Sequence, residues 1–153
     1  MRITIIAVGK LKSKAVQSLV EEYEKRLPPA LKINWIEVTS PAGGPPSQIM
    51  AAEADRIRDR VPQKSVVAAL SEKGKEMDSK VFAEWLAAIR DSGKDLCLII
   101  GGADGIHQSL IKETHHHIAL SRLTFPHELV RAILAEQIYR AFSILAGSPY
   151  HRQ

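Results

Sequence analysis

Apolar residues along this chain alternate between short unbroken runs and positions spaced three or four apart. Residues 2–9 (RITIIAVG) are rich in β-branched side chains and close on a glycine, which predicts a buried strand. Val16, Leu19, Val20, Tyr23 and Leu27 then share one helical face, until Pro28 and Pro29 stop the helix. Residues 33–38 (INWIEV) predict a second strand. The breaker-rich stretch PAGGPPS, residues 41–47, is too short for an interdomain linker and predicts a mobile loop. Ser47 is placed to cap a helix whose Met50, Ala54, Ile57 and Val61 face inward, with charge on its other side.

The pattern tightens from residue 65 onward. Residues 65–70 (SVVAAL) predict a strand. Asp78 or Ser79 can then cap a helix with Val81, Phe82, Trp85, Leu86 and Ile89 inward and Gly93 just past its end. Residues 96–100 predict a strand, 108–116 a short helix, and 117–123 another strand. Pro126 fits the first position of a last helix, where its missing N–H is no loss. That helix carries a broad apolar stripe, from Leu129 and Val130 through Leu134 and Ile138 to Leu145, wide enough for core and a subunit interface. Strands alternating with helices predict an α/β fold, a parallel-type sheet flanked by helices, in one domain over residues 1–153.

Composition narrows the setting. The longest apolar runs are strand-sized, far below the ~20 residues of a membrane span, and no signal-peptide layout is present. A single cysteine, Cys97, sits inside an apolar run, which suits a reducing cytoplasm and a packing role. The net charge of +4 tilts mildly toward a polyanionic partner. Lys10, Lys12 and Lys14 cluster early and could meet phosphates, although a solvated basic face is the commoner meaning of such a group.

Ligands of open α/β sheets sit outside the carboxyl ends of the strands. Three successive strands here end in LSEKG (70–74), GGADG (101–105) and LSRLTF (120–125). Glycines there permit close backbone approach, and Ser71, Ser121 and Thr124 supply hydroxyls between apolar walls. Such a pocket suits an adenosine-like molecule. Neither a G-x-G-x-x-G fingerprint nor a P-loop occurs, which disfavours dinucleotides and triphosphates. His115, His116 and His117 cannot all converge on one ion, because adjacent side chains diverge, so no metal site is expected. His127 and Glu128 begin an H-E-x-x-H pattern that Arg131 breaks. No G-x-S-x-G elbow is present.

The last helix follows directly from the third of these segments, which brings His127 and Arg131 within about one turn of the pocket mouth. Glu136 and Arg140 read as an i, i+4 ion pair worth only ~0.3–0.5 kcal/mol. Beyond Gly147 the tail SPYHRQ offers a stacking ring, a titratable base and a phosphate fork in Tyr150, His151 and Arg152, the set that RNA recognition uses.

LSRLTFPHELVRAILAEQIYRAFSI followed by PYHR resembles the RlmH-type ribosomal RNA large subunit methyltransferases of the SPOUT class. AVGKLK, LSEKGK and IIGGADG resemble that family in order and spacing, so the resemblance spans the chain. It implies a SPOUT fold with a C-terminal trefoil knot, a homodimer, and S-adenosyl-L-methionine as cofactor. It also implies methyl transfer to N3 of a pseudouridine in 23S rRNA of the assembled ribosome. By motif matching it implies Leu70, Gly101, Leu120, Ser121, Arg122, Leu123, Thr124 and Phe125 as cofactor contacts. His127, Arg131, Tyr150, His151 and Arg152 fall on the substrate side, His151 as base and Arg131 and Arg152 as phosphate contacts. Two departures stand out: Ser71 replaces the aspartate of the family's L-D-x-x-G, and Gly147-Ser148 replaces Asn-His before Pro149. The competing class is a basic ribosome-binding module without catalysis, which would have no cofactor affinity.

Overall fold

Five strands, β1 (Ile3–Val8), β2 (Ile33–Val38), β3 (Val66–Glu76), β4 (Leu96–Ile100) and β5 (His116–Ala119), form one sheet in the order β2-β1-β4-β3-β5. The computed structural model describes residues 1–152. Every pairing is parallel, with Ile3 opposite Ile33 and Leu96, and Val66 opposite Leu96. β1 and β4 at the sheet centre are covered on both faces and buried along their whole length.

Alternation along each strand assigns the two faces. Ile3, Ile5, Ala7, Leu96, Leu98 and Ile100 pack with α3 (Ser79–Asp91) and α5 (His127–Leu145), through residues such as Phe82, Leu86, Leu134 and Ile138. Ile6, Val8, Cys97 and Ile99 face α2 (Pro46–Arg58) and α4 (Gln108–Glu113), meeting Ala54, Ile57 and Leu110. α1 (Lys14–Arg26) lies on α5, with Val20 against Ala132 and Ala135. A fully buried aliphatic side chain stabilises by ~1.5–3 kcal/mol, so these two layers supply most of the driving force.

Local signals fix the helix ends. Ser13 caps α1 by accepting from the Val16 N–H (3.3 Å), and Asp78 caps α3 by accepting from the Val81 N–H (2.8 Å). α2 differs from expectation: Pro45 is its N-cap and Pro46 its first residue, so proline geometry rather than the Ser47 hydroxyl starts it. α4 ends at Glu113 instead of running to His116.

Two strand ends also differ, and both matter for the site. β5 stops at Ala119, which frees residues 120–126 as a loop. β3 does not end at Leu70 but resumes beyond a bulge, with Leu70 and Lys75 both registered to Ile118. Gly74 makes this possible, since a Cβ there would lie inside the backbone of Ile118. The three histidines are spent on this edge. His115 Nδ1 accepts from the Val67 N–H (3.0 Å), His116 meets Trp85 edge-on at 5.4 Å between centroids, and His117 bonds Ser71.

Candidate active site

The carboxyl ends of β3 and β4 and the loop from β5 to α5 enclose a cavity of about 560 Å³. Three segments line it: residues 70–72, residues 100–106, and the stretch from Leu120 to His127, with Val130 behind. These are the three strand-end segments that the sequence singled out.

Each segment is shaped by its own local chemistry. Residues 102–105 fold into a tight turn closed by the Gly105 N–H on the Gly102 carbonyl (3.1 Å). Gly101 packs so closely that a Cβ would lie 2.7 Å from Ile106 Cγ1 and 2.9 Å from the Gly105 carbonyl. Behind the turn lies Glu53 of α2, buried and accepting from the Ser40 hydroxyl (2.6 Å). Glu53 was not singled out from the sequence, although its spacing from Met50 and Ile57 sets it beside the inward face of α2. At the pocket lip Ser71 Oγ and His117 Nε2 are 2.6 Å apart, so the residue standing in place of the family aspartate anchors β3 to β5. Ser121 Oγ accepts from the Leu123 N–H (3.0 Å), which turns the third segment around the cavity.

Of the cofactor contacts expected from motif matching, Leu70, Gly101, Leu120, Ser121, Leu123, Thr124 and Phe125 line the cavity. Arg122 does not. Its guanidinium turns outward to Glu76 (3.4 Å) with the side chain 71% exposed. His127, expected on the substrate side, forms part of the rim. Glu72, Asp104 and Val130 join the lining without having been singled out. Val130 was hidden within the apolar stripe, whereas the two acids sat inside segments already marked.

The lining has a definite electrostatic character. Walls from Ile100, Ile106, Phe125 and Val130 are apolar, Glu72 and Asp104 are carboxylates, and among the described residues no Lys or Arg borders the space. A phosphorylated ligand would find no counter-charge here, while a cationic one would.

Arg131 is placed differently from its expected role. Its side chain is 3% exposed, paired with Glu37 (2.8 Å) and donating to the Gly9 carbonyl (2.7 Å). A guanidinium so enclosed does not reach an RNA phosphate, so the phosphate-holding role does not fit this position. The tail is also remote from its own pocket. Tyr150 donates its hydroxyl to Glu136 (3.0 Å), Arg140 stacks over the Tyr150 ring (4.7 Å), and His151 Nδ1 lies 3.2 Å from Arg140. Glu136 is nine residues beyond His127, which puts the tail on the opposite side of α5 and about 14 Å along its axis. Arg152, next in the tail, is exposed.

Fold and pocket together fit the α/β enzyme class, with a cavity at the carboxyl edge of a parallel sheet whose described lining holds carboxylates and no Lys or Arg. Comparison with known proteins narrows this. The family model described as "Predicted SPOUT methyltransferase" matches residues 1–151, and the chain belongs to that family. Its strand order is consistent with the C-terminal trefoil knot that the resemblance implies. A Ruegeria pomeroyi protein named Ribosomal RNA large subunit methyltransferase H is 43% identical, with 99% of each chain covered. A Paracidovorax citrulli protein of the same name is 41% identical with both chains fully covered. Among solved structures, a probable methylase family protein from Haemophilus influenzae has a similar fold, with a TM-score of 0.59 at 14% identity. That match covers 99% of this chain and 70% of the other.

Proposed function

We propose that this chain is a single-domain methyltransferase using S-adenosyl-L-methionine to methylate N3 of a pseudouridine in 23S rRNA. It acts on assembled ribosomes in the cytoplasm and works as a homodimer. The observation that carries the cofactor is the pocket: apolar walls, glycine-lined backbone and two carboxylates, with no Lys or Arg among the described lining. S-adenosyl-L-methionine brings a sulfonium methyl that is already activated, so neither metal nor covalent enzyme intermediate is required.

The chain's own residues then have defined tasks. Leu70, Ile106 and Phe125 give flat apolar surface for a purine, and Glu72 and Asp104 offer counter-charge for an ammonium or sulfonium. The methyl acceptor must lose its imide proton, and the imidazole on the rim in the same chain is His127. His151 and Arg152 sit across α5 from their own pocket, so they serve the pocket of a second copy. Leu123 and Leu129, 71% and 38% exposed beside the rim, support a second copy docking there.

The decisive experiment is mass spectrometry of 23S rRNA from a strain lacking this chain. One methyl should be missing from a pseudouridine and return when purified protein and S-adenosylmethionine are added to those ribosomes. Calorimetry that found no S-adenosylmethionine binding would instead favour a non-catalytic ribosome-binding module. For the shared site, an inactive Gly101→Ala chain mixed with an inactive His151→Ala chain should regain activity as heterodimers. No recovery would sink the exchange of tails.

A further inference from the structure

The loop from Gly9 to Ser13 joins β1 to α1 beside the pocket rim, and charged side chains of other elements hold its backbone. Gly9, at φ +87°, donates its N–H to the Val38 carbonyl (2.8 Å) while its own carbonyl accepts from Arg131 (2.7 Å). The Leu11 N–H donates to Glu37 (2.6 Å). The Lys12 and Ser13 N–H groups both donate to Glu128 Oε1, the second at 3.1 Å. Arg131 completes the frame by pairing with Glu37 (2.8 Å). The loop is thus fixed from beneath by one arginine and two carboxylates drawn from β2 and α5.

What the frame displays outward is cationic. Lys10, Lys12 and Lys14 are all exposed, and none is within ion-pair distance of a carboxylate among the described residues. The nearby acids Glu37 and Glu128 are already engaged by the loop's own amides, and Glu37 by Arg131 as well. Helix stability does not account for the lysines, since Lys12 and Lys14 flank the positive end of α1, whose first turn carries no acid. The ring of His127 sits against Gly9 and also lines the pocket rim, which ties this loop to the site.

We propose that Lys10 and Lys12 grip phosphates of the RNA strand flanking the nucleotide that enters the pocket. This rests on the RNA methyltransferase reading above. A lysine is a flexible point charge, so a fixed backbone is what lets it deliver that charge at a set place. The phosphate-binding task expected of Arg131 belongs to the loop it supports, and Arg131, Glu37 and Glu128 are positioning residues beneath that loop.

The test uses the full-length protein and ribosomes that lack the methyl group. A Lys10→Gln/Lys12→Gln double variant should raise the KM for ribosomes about tenfold near 0.1 M salt. The slope of log kcat/KM against log salt should become shallower by about 1–2. Its thermal midpoint and its S-adenosylmethionine affinity should match the wild type. A Lys10→Arg/Lys12→Arg variant, with charge retained, should restore the KM to within about twofold of wild type. Glu128→Gln should raise the KM although it makes the protein more positive, because it releases the loop rather than removing its charge. Wild-type KM and salt slope in the glutamine double variant would overturn the inference and leave the methyltransferase reading intact. Failure of the wild-type protein to methylate, with lysine-dependent ribosome binding preserved, would overturn the activity and leave the loop's role standing.

Discussion

Arg131 and Glu37, 94 positions apart, meet in a 2.8 Å ion pair in which the arginine is 3% exposed and the glutamate 39%. The pair ties α5 to the end of β2, and the second arm of the guanidinium ties both to Gly9 at the end of β1. Arg131→Met would keep the apolar stem but strand the Glu37 carboxylate and the Gly9 carbonyl. Breaking a fully buried pair costs ~3–5 kcal/mol. Glu37 meets water and the Arg131 Nε already lacks a partner, so the expected loss is about 2 kcal/mol. Urea unfolding checks this, and Arg131→Lys, which keeps charge without the fork, should fall between the two. A variant as stable as wild type would show that the pair is not structural.

Gly101 has no room for a side chain on the wall of the pocket. A methyl there would strike Ile106 Cγ1 at 2.7 Å and the Gly105 carbonyl at 2.9 Å, and the latter, as backbone, yields only if the turn opens. Gly101→Ala should therefore cost ~1–3 kcal/mol of stability and weaken S-adenosylmethionine binding at least about tenfold. Calorimetry on the folded variant separates these effects. Wild-type affinity would mean that the 101–106 turn does not shape the cofactor site.

Tyr150 should ionise late on alkaline titration. Burial is the main reason, reinforced by its neighbours Tyr23 and Glu136, and together they push its hydroxyl well above the usual range. Ultraviolet absorbance at rising pH should show a late phase that Tyr150→Phe deletes. Glu136→Gln, which removes the acceptor charge, should move that phase toward lower pH. If Tyr150→Phe removes no late phase, the tail is not held on α5 as seen here.

The sequence patterns that survived are those set by nearest neighbours along the chain. β2 and β4 match their expected bounds end to end, and Asp78 marks the start of α3. What periodicity could not reveal depended on partners far away. Residues 71–74 read as a strand exit, yet β3 resumes because Lys75 and Glu76 find Ile118 and Ala119 to pair with. Arg131 read as a phosphate contact because its partners Glu37 and Gly9 lie 94 and 122 positions away. Glu136 and Arg140 were legible as an ion pair, but not as the dock for Tyr150, since a tail's return path leaves no periodic trace. At the site, the three pocket segments were readable from strand ends, whereas the outward turn of Arg122 was not.

Acid should loosen the loop from Gly9 to Ser13 before it unfolds the sheet. Burial alone would raise the Glu37 pKa. Hydrogen bonds from Arg131 and the Leu11 amide, with the charges of Arg131 and Lys10, outweigh it and hold the carboxyl below its ordinary 4.5. Glu128 is held low chiefly by the Lys12 and Ser13 amides. A folded pKa below the unfolded one stabilises the native state above the ordinary carboxylate range, and that contribution disappears as pH falls through it. Unfolding free energy should thus drop between about pH 5 and 3, and the drop should be shallower in Glu37→Gln and Glu128→Gln. Over the same interval, hydrogen exchange at the Leu11, Lys12 and Ser13 amides should accelerate ahead of amides within β4. Equal acceleration across loop and sheet would mean that these carboxylates hold no separable element.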